Sequence, residues 1–450
     1  MALDQDFVIN RKTIFKLLIP VLIDQLFITL LPIINTVVVS KLGSSSMSSV
    51  AIVDQINQLV SMAAVAIAMG AAVVVAQYTG RGDRHGVTHT ICQSYSSSLV
   101  LTLMIMVLVL IFSNGIINMA LSGATEEMKT IAKTYLYVTA FSYPFYCFYA
   151  NTTQILRGVG HPREAMYTSI AMNTSIFLIN ALMIYGLKKG VVGAGIATLC
   201  GRAVGAIVGA FMVIRSGFAK KVSDFFTLKF DLHTQGVMMR MGVPTGMQNF
   251  AFMGARLVMN VFILPFGTDH YAANVVFTQM LDLQCVGSTV VAGMAPAIMG
   301  IAKGRGDQEG IKSAFKDLNF ISFWLGAACS FIPIPFLKQI NALYHMSPAS
   351  AAIANKMILG NLIYVIALVW FAQAAPAAFR GIGDSVIPPV IMIAGVWCGR
   401  VLTLAALTTW FKMGTYALYW ALIADYALRS VLYFWRYKSG AWLRAQKGVD

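Results

Sequence analysis

The tetrapeptide Gly80-Arg81-Gly82-Asp83 returns unchanged as Gly304-Arg305-Gly306-Asp307. Each copy follows a long apolar run and precedes another, and each has a glycine three residues on, Gly86 and Gly310. At the same offset of 224 residues Pro20 aligns with Pro244, Gly43 with Gly267 and Gln55 with Gln279, without a gap. At an offset of 223, Arg157-Gly158-Val159-Gly160 aligns with Arg380-Gly381-Ile382-Gly383. One short match is chance, but several in the same order at one offset mark an internal duplication. The chain reads as an N-terminal half, 1–220, a basic linker, 221–236, and a C-terminal half, 237–450.

Composition identifies the solvent. Of 450 residues, 58% are hydrophobic and 11% are charged, and mean hydropathy is +0.72. Soluble domains carry about 25% charged residues, so this is a polytopic membrane protein. A span needs about 20 apolar residues. Twelve runs qualify: 14–40, 47–79, 87–112, 129–156, 164–186, 192–214, 237–264, 271–302, 312–337, 352–379, 386–410 and 416–436. They must be helical, because lipid satisfies no free backbone groups. The expected architecture is all-α, with twelve transmembrane helices in two pseudo-symmetric six-helix bundles. Met1–Asn10 is polar, and the run after it is too long for a cleavable signal.

Charge gives the orientation. The formal net charge of +15 lies in short loops between apolar runs, a distribution that argues against nucleic acid as partner. Twelve spans put both termini on one side. With the termini inside, 22 of the 33 lysines and arginines fall on the inner side, as the positive-inside rule requires. The expectation is a multi-pass protein of the plasma (inner) membrane with both termini cytoplasmic. Halves of equal topology are parallel repeats, an arrangement that suits alternating access around a site between them.

Some chemistry is disfavoured. The six cysteines lie singly and form no C-x-x-C pair, which disfavours zinc sites and disulfides. There is no nucleotide-binding loop, zinc-protease motif or nucleophile elbow, so neither an enzyme nor an ATP-driven pump is indicated. No cofactor and no metal are expected. The glycine-rich loops serve as turns with arginine anchors, and Asp83 and Asp307 either cap helices or pair with a basic residue. His85 and His89, four apart, have no carboxylate in helical register.

Ionisable groups within spans are costly and are functional candidates. The acids are Asp24, Asp54, Asp282 and Asp425. Asp24 and Asn35 lie on one stripe of the first span, roughly 16 Å apart, beside Pro20 and Pro32. Asp24 is the leading candidate for a coupling acid; the alternative is a buried acid paired with a neighbouring amide or cation. Asp54, Gln55 and Gln58 cluster on the second span, and the repeat maps Gln55 to Gln279 and Gln58 to Asp282. A shared polar cavity between the halves is the expected reason, and interhelical hydrogen bonding is the alternative. Asp425 and Arg429 are spaced for an intrahelical ion pair. Arg202, Arg256 and Arg400 have no local carboxylate, so they snorkel, pair across helices or line a wet cavity.

Several of these features coincide in one known family. The early prolines of spans 1 and 7, Leu42-Gly43 and Phe266-Gly267 after those spans, and the paired RG-x-G loops resemble the multidrug and toxin extrusion (MATE) family. So do Ile184-Tyr185-Gly186-Leu187 and Gly193-Ala194-Gly195-Ile196-Ala197-Thr198. The resemblance covers essentially the whole chain. It implies two six-helix bundles and a monomeric antiporter that exports amphipathic, often cationic compounds against inward H⁺ or Na⁺. The acid such transporters carry in span 1 appears here as Asn35, within Ile34-Asn35-Thr36, and the span 5 acid as Asn180. Coupling is accordingly expected from Asp24, Asn35, Asp54 and Asn180, and a substrate cavity from Gln55, Gln58, Gln279, Asp282 and Arg256. The alternative expectation is a flippase for lipid or lipid-linked saccharide on a related fold, with the in-span arginines holding a phosphate headgroup.

Overall fold

The computed structural model describes residues 10–40, 44–121, 125–218, 221, 225–226, 229–344 and 346–444, without the side chains of 30–48 and 444. Every regular element among them is helical. The first half contains α1 Arg11–Ser40, α2 Ser44–Arg81, α3 Arg84–Ala120, α4 Glu126–Ala140, α5 Tyr143–Gly158, α6 Pro162–Ala181 and α7 Gly190–Arg215. The second half contains α8 Leu232–Ile263, α9 Thr268–Gln284, α10 Val286–Gly304, α11 Gln308–Ser330 and α12 Leu337–Leu343. It continues with α13 Pro348–Tyr364, α14 Trp370–Gly381, α15 Ile387–Ala394, α16 Leu402–Thr409, α17 Tyr416–Lys438 and α18 Ala441–Arg444.

Nine segments among the described residues are long and apolar enough to cross a bilayer. The other three expected spans are α1, α4 with α5, and α17. The fourth span breaks at Phe141 and Ser142 into helices of 15 and 16 residues. The eighth steps at Cys285, between α9 and α10. One π-turn, Val365–Val369, joins α13 to α14, and another, Gly395–Val401, joins α15 to α16.

The duplication is written into the backbone. Left-handed residues recur in pairs: Gly82 and Gly306, Gly160 and Gly383, Lys188 and Lys412, Gly190 and Gly414, Gly217 and Gly440. The GRGD loops show why. Asp83 caps α3 by accepting from the Gly86 N–H at 2.9 Å. Asp307 caps α11 by accepting from the Gly310 N–H at 2.8 Å. A Cβ at Gly310 would stand 2.0 Å from the Asp307 carboxylate, and one at Gly86 would stand 2.6 Å from that of Asp83. A side chain at the third residue after either aspartate would therefore displace the capping carboxylate. Capping, one of the two contacts expected of these aspartates, is thus observed at both.

Backbone proximity divides the chain into two compact units, and the division cuts two helices. Ile23–Gly246 forms unit 1; the described residues up to Leu22 join Met247 onward as unit 2. Both cuts fall two residues beyond the repeat-equivalent prolines Pro20 and Pro244. In unit 1 the start of α8 lies against α2 through small residues. A Cβ on Gly70 would meet the Met238 carbonyl oxygen at 2.2 Å, and one on Gly242 would meet that of Ala66 at 2.4 Å. Such close backbone approach drives helix association in lipid, where apolar burial contributes little. In unit 2 the start of α1 is held by Arg11, which bonds Asp317 at 2.6 Å and stacks 4.4 Å from the Phe320 ring.

Candidate functional site

Each unit contains its own polar cluster. In unit 1 it is built on α2, where Asp54 and Asn57 stand one turn apart. Tyr135 of α4 donates to Asp54 Oδ1 at 3.0 Å, and the Asn57 amide donates to the same oxygen at 3.4 Å. Asn57 Oδ1 accepts in turn from the Tyr143 hydroxyl of α5 at 2.8 Å. Asn57, Tyr135 and Tyr143 are buried, and Asp54 is exposed. Arg202 of α7 donates to Ser142 Oγ at 2.8 Å, and its guanidinium lies 4.6 Å from the centre of the Tyr146 ring. The break between α4 and α5 thus presents both the arginine's acceptor and the phenol that holds Asn57. Gln55 and Gln58 are exposed on α2, and Asn180 is buried in the last turn of α6. The side chain of Asn35 lies outside the described residues.

Asp24 is elsewhere in unit 1 and has a cationic partner. Its Oδ2 accepts from Arg157 Nη2 at 2.5 Å. The Asp24 side chain is 1% exposed and that of Arg157 14%. Of the two readings of Asp24, the buried ion pair describes its contacts. The repeat carries the same link. Position 24 corresponds to Gln248, and Arg157 corresponds to Arg380. Arg380 Nη1 donates to Gln248 Oε1 at 3.1 Å. The next residue matches as well: a Cβ on Gly158 would meet the Ala72 carbonyl oxygen at 2.7 Å, and one on Gly381 would meet that of Pro296 at 2.6 Å. In each unit an RG step clamps two helices, the arginine reaching one by its side chain and the glycine another by its bare backbone. These arginines are not the exposed anchors of a loop: Arg380 is buried and Arg157 nearly so.

Unit 2 gathers more charge. Asp425 of α17 is fully buried and takes two arginines. Arg429 Nε lies 2.6 Å from Asp425 Oδ1, the i,i+4 pair expected from the spacing. Arg400, on the π-turn, donates to Asp425 Oδ2 from Nε at 2.8 Å and also through Nη2. Room for this triad comes from glycine, since a Cβ on Gly395 would meet Arg429 Cγ at 2.3 Å. Nearer the surface, Arg256 Nη2 lies 3.7 Å from Asp282 Oδ2. A small cavity of about 30 Å³ is lined by Arg256, Asn260, Asn274, Thr278 and Arg400 among others. Gln279 accepts from the Tyr344 hydroxyl. Of the roles open to the in-span arginines, Arg256 and Arg400 pair across helices and also line this cavity, whereas Arg202 bonds to Ser142 and stacks on Tyr146.

Of the candidates, the structure joins Asp282 to Arg256 directly. It brings Asp54 to residues that sequence reasoning missed, Asn57, Tyr135 and Tyr143. Asn57 carried a signal, being one helical turn from Asp54; the two tyrosines, 81 and 86 residues from their partners, carried none. His85 and His89 stack at 6.3 Å, and His89 meets Asp231, from the segment before α8, at 3.9 Å. All six cysteines are free thiols.

Comparison with known proteins agrees with this architecture. The MatE family model matches residues 20–185 and 244–404, once in each half. A protein of Thermotoga maritima described as a probable multidrug resistance protein NorM is 23% identical, over 96% of this chain and 93% of its own. A MATE transporter solved in a bent conformation superposes with a TM-score of 0.86 at 20% identity, covering 97% of this chain and 96% of its own. A MOP superfamily transporter from Pyrococcus furiosus gives a TM-score of 0.84 at 21% identity, covering 96% of each chain. That protein is described as having a binding pocket of reverse polarity that suggests a different function. Twelve helical spans, an internal repeat that reaches down to single hydrogen bonds, and a family match repeated in both halves lead to one conclusion: this chain is a multi-pass membrane transporter and belongs to the MatE family.

Proposed function

We propose that the chain is a monomeric secondary antiporter that exports cationic, amphipathic organic compounds across the plasma membrane, by alternating access and against inward H⁺ or Na⁺. Both termini are cytoplasmic in this reading. The observation that carries it is the environment of Asp54. Its carboxylate is exposed, and both of its hydrogen-bond donors, Tyr135 and Asn57, are neutral. No cation bonds to it among the described residues, although Arg202 acts on it from a distance, so its negative charge is available to a cation, whereas that of Asp24 is matched by Arg157. A proton or Na⁺ and a cationic substrate compete for one such carboxylate, and exclusive occupancy by either is the elementary step of antiport. Asp24 serves this cycle by fixing α1 against α5, with Asn35 and Asn180 as neutral ligands and Gln55, Gln58, Gln279, Asp282 and Arg256 along the substrate path. The relative from Thermotoga maritima and an MdtK protein of Yersinia enterocolitica are both described as multidrug resistance proteins, which supports this substrate class.

The test is efflux of a fluorescent cationic dye from proteoliposomes under a pH gradient and a Na⁺ gradient applied separately. Wild type moves dye under one of them, and Asp54→Asn abolishes the movement while leaving the protein monodisperse. Gradient-driven transport at wild-type rate in Asp54→Asn would sink the assignment. A second reading, a flippase for a lipid-linked saccharide, draws on the excess positive charge in unit 2, where Arg400 and Arg429 share the single carboxylate of Asp425. Transfer of a pyrophosphate-linked lipid without any dye transport would favour it.

A further inference from the structure

A groove of about 470 Å³ opens on unit 2 between α11, α14 and α17. Its walls are aromatic: Phe320, Phe323, Trp324, Trp370, Phe371 and Phe434. One end is cationic. Lys316 lines the groove, the Lys438 ammonium lies 5.1 Å from the centre of the Phe434 ring, and the Arg11 guanidinium lies 4.4 Å from that of Phe320. Asp317 offsets Arg11 at 2.6 Å, and no acidic residue lines the groove. Arg11 opens α1, Lys316 lies in the first half of α11, and Lys438 closes α17, so the three cations mark one membrane face. Trp324 and Trp370 lie further along the helices.

The repeat shows what such a surface needs. Asn319 and Phe371, both in the groove lining, correspond to Tyr95 and Phe148 of unit 1. There the chain covers itself. Phe225, from the segment between α7 and α8, packs edge-to-face with Tyr95 at 5.1 Å and with Phe148 at 5.5 Å, and it is fully buried. The matching stretch after unit 2, Ala445–Asp450, reads Ala-Gln-Lys-Gly-Val-Asp and contains no aromatic residue. Unit 1 fills the position from its own linker; in unit 2, among the described residues, Trp442 packs on Phe315 and Tyr437 at one end of the lining, and the rest is an aromatic groove with a basic rim.

We propose that this groove is a binding site for one anionic diacyl phospholipid, its acyl chain along the aromatic wall and its phosphate between Lys316 and Lys438. The proposal is independent of the transported substrate. Each lysine near the membrane surface favours an anionic over a zwitterionic headgroup by about 5-fold, so the pair gives about 25-fold, falling with ionic strength.

The full chain is placed in phosphatidylcholine bilayers containing acyl-brominated phosphatidylglycerol, with acyl-brominated phosphatidylcholine as control. Bromine quenches tryptophan at short range, and the part of the signal removed by Trp324→Phe and Trp370→Phe reports on the groove. That part is expected to be quenched at about 25-fold lower mole fraction of the anionic lipid. Lys316→Gln with Lys438→Gln brings the two lipids together, whereas Lys188→Gln with Lys412→Gln, on loops away from the groove, keeps them apart. Equal quenching by both lipids in wild type overturns the proposal, as does a preference that survives in the Lys316/Lys438 variant. A preference that emerges only when 445–450 are deleted also overturns it, because the groove is then covered by the chain's own tail.

Discussion

Arg157→Gln isolates the electrostatics of the RG clamp. Asp24 is 1% exposed, so loss of its cation leaves a carboxylate buried beside neutral groups. Breaking a buried ion pair from one side costs about 3–5 kcal/mol, because the orphaned charge is still out of water. The same change in the other repeat, Arg380→Gln, leaves only the neutral amide of Gln248. It removes a hydrogen bond from a charged donor, a loss of about 1.5–3 kcal/mol. Arg157→Gln is therefore expected to be the more damaging of the two by about 2 kcal/mol, roughly a factor of 30 in the folded population. Asp24→Asn combined with Arg157→Gln replaces the buried ion pair by two neutral amides, leaves no orphaned charge and recovers about 2 kcal/mol of the loss. Thermal unfolding in detergent, followed by monodispersity, orders the four proteins. The reasoning is refuted if Arg157→Gln and Arg380→Gln are equally destabilising, or if the double variant is no more stable than Arg157→Gln.

Three further outcomes are expected. Gly310→Ala drives a methyl into the Asp307 carboxylate and costs more than Asp307→Ala, which loses only the cap at about 0.5–2 kcal/mol; the two unfolding midpoints decide. Asp425→Asn leaves Arg400 and Arg429 buried without a counter-charge and costs about 3–5 kcal/mol, whereas Asp282→Asn, beside the half-exposed Arg256, shifts the midpoint by under about 1 kcal/mol. Asp231 accepts from the Thr234 hydroxyl at 2.5 Å and from the His233 N–H at 3.0 Å, and these bonds hold its carboxyl below the ordinary range, with the Thr234 bond foremost. Its contribution is complete above the unfolded value of about 3.9 and is lost as pH falls through the lower folded value. The stability advantage of wild type over Asp231→Asn is thus present at neutral pH and is lost as pH falls below the ordinary carboxylate range.

Fold and site differ in how far they can be read from sequence, because the fold rests on periodicity and the site on long-range contacts. Hydropathy reveals the spans, since every backbone group in lipid must be satisfied locally, and the GRGD repeat reveals the duplication. The helix breaks at Phe141 and Cys285 and the π-turn at Gly395 have no such local signature. They follow from packing, as where a bare glycine lets Arg429 reach Asp425. Asp24 and Arg157 are 133 residues apart. Alignment of Asp24 with Gln248 and of Arg157 with Arg380 shows that the pairs correspond, but only the coordinates show that their members touch. Asp24 stands out in sequence as a lone acid in an apolar span, and its burial against an arginine is what redirects attention to Asp54.

Because the compact units divide inside α1 and α8, the chain cannot complete them in the order in which it is made. Unit 1 includes residues up to Gly246, so it can close only after the start of the seventh span has emerged, well beyond the linker. The segment ending at Leu22, among the first to be synthesised, belongs to the last unit to form. It must wait through the insertion of every intervening span. Synthesis stopped near residue 220 would yield six spans but not a finished bundle, since the helix start that packs on Gly70 would be missing. A ribosome-stalled series should therefore acquire protease resistance in unit 1 only when lengths pass about 246 residues plus the stretch hidden in the exit tunnel.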